Sequence, residues 1–293
     1  MANSITLSSA TRTNLLSLQR TTDLIGQTQE RLSTGKRVNS AIDDALSFFT
    51  SRNLNARASD LATIKSGIDE GIEVLTTTTD ALTSVEDVLK QMKAIASSAK
   101  STAATDTTTR NKLVSQFNEL RSQIDNLVND ASYNGINLIR GSSNETTTKA
   151  DNLTVKFSED TTASPKREIT INGESSDASS LNLNAASTGS SAWAITDGTH
   201  ASVIDSAINE IDSALTTVRT TSQTFGINAS LLQIRQEFTD NLINTLESGA
   251  ANLVNADLNE ESANMLALQT RQSLGTIALS IAQQSEQSIL RLF

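Results

Sequence analysis

The sequence predicts a mainly α protein, a long coiled-coil helical bundle with a small β-hairpin insert. Three observations predict it. Leu54, Leu61, Ile68, Leu75, Leu82, Leu89 and Ala96 repeat at a strict interval of seven, the spacing of a coiled-coil seam. Ile204, Ile211, Val218, Phe225, Leu232, Thr239, Leu246 and Leu253 keep the same interval in the C-terminal half. Only 3% of the 293 residues are aromatic and one is proline, so burial must come from Leu, Ile, Val and Ala, which suits helix-on-helix packing.

The first helix is expected over roughly residues 7–33. Leu18, Ile25 and Leu32 lie seven apart and Leu15 opens a second row. The stripe is narrow, a seam more than a core face. Gly35 stands where a left-handed C′ residue would close the helix. Ser40 and Asp43 then resemble a capping box, which would put Asp43 and Asp44 in the first turn of the next helix, where the helix dipole favours anions. Adjacent helical residues point about 100° apart, so the two carboxylates are not expected to share a proton as a catalytic dyad.

The second helix is the clearest signal. Ile64, Ile72, Val85, Met92 and Ala99 add a partial second row to its strict heptad, and about 55 residues at 1.5 Å each give a rod of about 80 Å. The Ser- and Thr-rich stretch 101–109 ends it. A third helix is expected over about 110–131, with Leu113, Leu120 and Leu127 in one row and Phe117, Ile124 and Ala131 in the other. Residues 133–141, YNGINLIRG, carry an Asn-Gly turn signal. Two short strands are expected at 152–157 and 167–173, with Pro165 between them. From 174 to 200 the composition reads as an exposed loop, with Trp193 as a local anchor against the bundle. In the C-terminal helix Ile208, Leu215, Ala229, Ile243 and Ala250 form a second row, interrupted by Ser222 and Gln236. A last amphipathic stretch contains Met265, Leu266, Leu274, Ile277, Ile281 and Leu290.

Composition removes several functions. The net charge of −10 argues against nucleic acid and anionic membranes, both of which need a basic surface. Cys is absent, which excludes disulfides, thiolate catalysis and zinc–thiolate sites. No apolar run is long enough for insertion into a bilayer, and the N-terminus lacks the pattern of a cleaved secretory signal peptide. The single histidine, His200, has no triad or His-Glu-x-x-His context, and the Gly-Lys at 35–36 lacks the upstream glycine of a phosphate loop. The sequence therefore predicts no enzyme and no cofactor. The terminal helices carry some ten apolar contacts against about sixty residues to be ordered, a deficit at about 1–2 kcal/mol of backbone entropy per residue. They are expected to order on assembly.

The motifs converge on a known family. LSTGKRVNSAIDDA, residues 32–45, resembles the flagellin N-terminal signature. YNGINLI resembles that family's Phe-Asn-Gly element. LVNADLNEESANM and the residues after it, to 293, resemble the flagellin C-terminal helix. The likeness covers roughly 1–173 and 200–293. It implies a structural subunit that polymerises into the bacterial flagellar filament for motility. It implies that the N- and C-terminal helices pair, so that 1–40 with 255–293 form a terminal coiled-coil layer (D0) and 41–254 a helical rod with a β-hairpin (D1), residues 174–200 standing in place of an outer domain.

That resemblance also implies roles. Leu15, Leu18, Ile25, Leu32, Leu274, Ile277, Ile281 and Leu290 become the assembly seam. Gly35, Lys36, Arg37, Ser40, Asp43 and Asp44 become the D0–D1 connector, in which Lys36 and Arg37 make ion pairs within or between subunits or stay solvated. Partners would be the chain itself, the flagellar cap and hook–filament junction proteins, and an export chaperone on the C-terminal helix. The place would be extracellular, reached by type III export. Many flagellins carry a segment read by Toll-like receptor 5. The matching positions Lys90, Gln91, Met92, Lys93, Ala94 and Ile95 lack its arginines and its glutamate, and Lys cannot reproduce a bidentate guanidinium contact, so weak or absent activation is expected. The rivals are a hook–filament junction adaptor, with similar termini, and an unrelated secreted coiled-coil protein, which would leave the end motifs unexplained.

Overall fold

A computed structural model describes residues 9–103, 105–141, 150–158, 167–187, 193 and 200–290. In chain order the elements are α1 (Ser9–Thr34), α2 (Ala45–Ser101), α3 (Thr107–Asp130), β1 (Leu153–Lys156), β2 (Glu168–Ile171), α4 (His200–Val254) and α5 (Leu258–Leu290). Pro165 and the Ser-Thr stretch at 142–149 lie outside the described residues. Among the described residues no helix is long and apolar enough to cross a membrane. The chain forms two compact units, one of residues 1–58 with 244–293, the other of residues 59–243.

In the second unit the heptads become the core. Ile68, Leu75, Leu82, Leu89 and Ala96 of α2 are fully buried, as are Ile204 and Ile211 of α4. Polar pairs beside this seam fix its register. Lys65 meets Asp240 at 2.6 Å, Gln236 donates to Asp69 at 2.5 Å, Arg219 meets Glu86 at 2.8 Å, Lys93 meets Asp212 at 2.5 Å, and Lys100 meets Asp205. In all five pairs the two residue numbers add to 305, so α2 and α4 run antiparallel without a slip. Gln236, a polar break in the apolar row, is thereby a register contact.

Helix α3 closes the bundle with Phe117, Ile124 and Val128 buried. Its N-cap is Asp106, whose side chain accepts from the Thr109 amide. The Asn-Gly turn forms as a tight reversal: Asn134 and Gly135 both take positive φ, 50° and 84°, and Tyr133 and Ile136 exchange backbone hydrogen bonds of 3.0 Å. Pairing stops at that single bridge, because Asn137 turns its amide back to the Val128 carbonyl at 2.8 Å. Strands β1 and β2 pair antiparallel, Leu153 opposite Ile171 and Lys156 opposite Glu168. The hairpin presses on α2 at Gly71, where a β-carbon would stand 2.8 Å from Val155 Cγ2. Arg235 of α4 covers the Phe157 ring at 5.1 Å.

Residues 174–200 depart from the expected exposed loop. The part described, 174–187 and 193, is irregular, yet Ser176, Asp177, Ala178, Leu181, Leu183 and Ala186 are buried. Asn118 of α3 exchanges hydrogen bonds with the backbone of Ala186, at 2.8 and 2.9 Å, and Arg121 donates to the Leu183 carbonyl at 2.8 Å. Polar residues of α3 thus replace a strand partner for this strap, the pairing any buried backbone demands. Trp193 is the anchor its isolation predicts, buried against Phe117 with ring centroids 4.7 Å apart.

Candidate assembly surface

The first unit holds the sequence-predicted seam and connector. Helices α1 and α5 pack antiparallel: Arg31 pairs with Glu261 at 2.9 Å, and Leu18 meets Gly275. The covered face of α1 includes Leu18, Ile25 and Leu32, each half-buried, with Thr11, Thr21 and Thr28 more deeply buried. Threonine can occupy such places because its hydroxyl folds back onto its own helix, as Thr21 does on the Ser17 carbonyl at 2.9 Å, which leaves the methyl to pack. The covered face of α5 includes Glu261, Met265, Leu268, Gly275 and Leu279.

The predicted seam therefore splits in two. Leu18, Ile25 and Leu32 face the intramolecular pair. Leu274, Ile277 and Ile281 do not; they are 62%, 56% and 61% exposed. Leu15 is exposed with them, next to Leu16 and Leu24. The side chain of Leu290 lies outside the described residues. Helix α5 thus carries an apolar row on each side, one spent on α1 and one left open.

The two chain breaks of this unit meet. Gly35 ends α1 with φ +69°, its amide bonded to the Arg31 carbonyl at 2.8 Å, which is the left-handed closure that glycine permits. Backbone bonds then tie Gly35, Arg37 and Val38 to Val254 and Ala256, between α4 and α5. Arg37 adds a bond from its guanidinium to the Leu253 carbonyl at 3.1 Å. Neither Lys36 nor Arg37 makes an ion pair among the described residues.

The cap of α2 corrects the capping-box expectation. Helix α2 starts at Ala45, so Asp43 and Asp44 precede it. Asp44 is the capping residue, accepting from the Ser47 amide at 3.1 Å and the Ser47 hydroxyl at 2.6 Å. Ser40 and Asp43 instead build the turn before it: Asp43 Oδ2 accepts from the amides of Ser40 and Asn39 and from the Ser40 hydroxyl. A turn at 40–43 satisfies those donors more locally than a longer helix would. Bonds from Ser40 and Asn39 hold the Asp43 carboxyl below the ordinary carboxylate range, and bonds from Ser47 do the same for Asp44. Each carboxylate has its own donors, and they share no proton.

Two exposed apolar rows escaped the sequence reading. Ile42, Leu46 and Phe49 are 96%, 80% and 55% exposed at the start of α2, and in the second unit Ile227, Leu231, Ile234 and Phe238 form an open row on α4. The receptor-like segment lies on α2, where Lys90 and Gln91 are exposed, Met92 is in the core and Lys93 is tied to Asp212. Ala94 is exposed and Ile95 half-buried.

The sequence model of the bacterial flagellin N-terminal helical region matches residues 3–144, and that of the C-terminal helical region matches residues 208–293. The flagellin FljM of Caulobacter vibrioides is 33% identical over 99% of this chain and 98% of its own length. A flagellin of Brucella melitensis is 28% identical over 100% of this chain and 99% of its own. Among solved structures, a Vibrio parahaemolyticus chain described as a flagellar hook-associated protein matches with a TM-score of 0.57 at 17% identity, over 73% of this chain and 100% of that one; that likeness speaks to the fold.

Proposed function

The chain belongs to the bacterial flagellins and is a structural subunit of the flagellar filament, and from that premise we propose how its residues build the polymer. Helices α1 and α5 form the terminal coiled-coil layer (D0), and α2, α3 and α4 with the hairpin form the helical rod (D1). The observation that carries this is the second apolar row of α5. Leu274, Ile277 and Ile281 remain open after α1 has taken the other side, and other copies of the chain bury them. A head-to-tail contact of this kind does not close, and extends as a helix of subunits. Burial of that row supplies the ordering free energy the isolated terminal helices lack.

The adaptor reading has less support, because the full-length relatives above are flagellins. We assign the chain no catalytic activity. We also propose export without a cleaved signal peptide, a chaperone on α5, and contact with cap and junction proteins at the ends of the polymer. Weak or absent activation of Toll-like receptor 5 follows from Gln91 and Ala94, and from Lys93, whose ammonium is held by Asp212. A reporter-cell assay at ordinary ligand doses should stay near background.

The test is polymerisation of the purified chain with sulfate, which strengthens apolar burial, followed by electron microscopy. The wild type should give long filaments. Ile281→Asp should give none while its helix content and the α2/α4 rod stay intact, and normal filaments from that variant would defeat the reading.

A further inference from the structure

The start of α2 and the turn before it carry an apolar knob and, around the helix from Leu46, a cavity; the Phe49 ring of the knob lies edge-on to the Phe48 ring of the cavity, centroids 5.5 Å apart. Ile42, Leu46 and Phe49 are the knob, with Ile42 at 96% and Leu46 at 80% exposure, more open than any other large apolar side chain described. Two acidic side chains, Asp43 and Asp44, stand beside it. The cavity has a volume of about 270 Å³ and an apolar floor that includes Val38, Phe48, Ala250 and Val254. Its charged lining residues are Lys36, Arg52 and one acid, Glu247. At 100° per residue Leu46 stands about 120–180° around the helix from Phe48, Ser51, Arg52 and Asn55 of the cavity wall. A molecule cannot insert Leu46 into its own cavity.

We infer that the Ile42–Leu46–Phe49 knob of one subunit seats in the Val38–Phe48–Ala250–Val254 cavity of a second copy of this chain. The inference rests on the reading of the chain as a polymer subunit and adds a contact distinct from the α5 row. Three observations choose this occupant. Leu46, the tip of the knob, and the cavity lie on different faces of the same unit, the arrangement that yields an open, repeating contact. The cavity has room for one or two of the three side chains. The charges are complementary, a pair of carboxylates approaching a cavity lining with two cations and one anion, which orients the approach. Neither cation is committed to an ion pair within the described residues; Arg52 rests over the Phe48 ring at 5.9 Å.

The experiment uses the full chain, which has no cysteine of its own. Leu46→Cys and Ala251→Cys are combined in one chain, polymerised and mildly oxidised. A ladder of covalent multimers is expected from the polymer, with none from dilute monomer or from either single variant. Wild-type filaments together with double-variant filaments that give no ladder would overturn the knob-and-cavity contact and leave the filament reading standing. A wild type that does not polymerise would overturn both. Should the double variant not assemble, Ala251→Phe decides: it fills the cavity without touching the knob. Its critical concentration should rise at least about tenfold, the loss of one buried Leu-sized contact, with helix content unchanged. An unchanged critical concentration would overturn the inference.

Discussion

Leu18 Cδ1 packs closely over Gly275: a β-carbon at that glycine would stand 2.8 Å from it. The near contact is the end of a flexible side chain, so alanine there asks only a small shift, and the intrinsic gain of alanine over glycine in a helix is about 1 kcal/mol. Gly275→Ala should therefore be nearly neutral. Gly275→Leu cannot be accommodated that way and should part α1 from α5. Protease cleavage within α1 of the assembled polymer, slow for wild type and Gly275→Ala and fast for Gly275→Leu, checks this.

The polar pairs of the α2/α4 seam should govern register more than stability. Lys93→Ala, at a half-exposed pair, should cost less than about 1 kcal/mol. Leu82→Ala, at a fully buried position, should cost about 2–5 kcal/mol. Urea unfolding of the monomer gives both values on one scale.

Acid should loosen the connector before base does. Asp43 and Asp44 sit below the ordinary carboxylate range when folded, so the unfolded chain takes up protons first as pH falls. Their contribution is present above about pH 4, the unfolded value, and disappears as pH drops through the folded values. Lys65 is raised by its bond to Asp240, so its contribution persists until pH passes about 10.4 and is lost above that. Melting temperature should be flat in between, and Asp44→Ala should shrink the fall on acidification.

The irregular strap at 176–187 should behave as core. Trp193 should emit at short wavelength and resist quenching by acrylamide, since it is 2% exposed. Phe117→Ala should cost about 3–5 kcal/mol and shift that emission to longer wavelength.

The α2 and α4 rows were legible because a period of seven survives in letters, and the strands because alternation does. Gly35 was legible because a left-handed closure has one preferred residue. Other features have no such signature. Thr21 and Thr28 read as a polar face, yet both are buried; Thr21 bonds the Ser17 carbonyl of its own helix and presents only its methyl. The strap reads as a loop, since what makes it core is hydrogen bonding from Asn118 and Arg121 on another element. Asp43 and Asp44 are neighbours with different duties, and which one caps depends on where the chain turns. Exposure of Ile42 or Ile227 is a property of the folded surface, and no local pattern marks it.

The pairing of Arg31 with Glu261 joins residues 230 positions apart, and α2 meets α4 across shorter spans, such as 105 positions at Lys100 and Asp205 and 167 at Asp69 and Gln236. Such closure comes late: the loop entropy must be met before any contact repays it. A chain still being synthesised has no partner for α1 until α5 is available, whereas every residue of the second unit's core precedes α5. The first unit therefore closes last: residues 59–243 can settle into their own core while α1 still waits for α5.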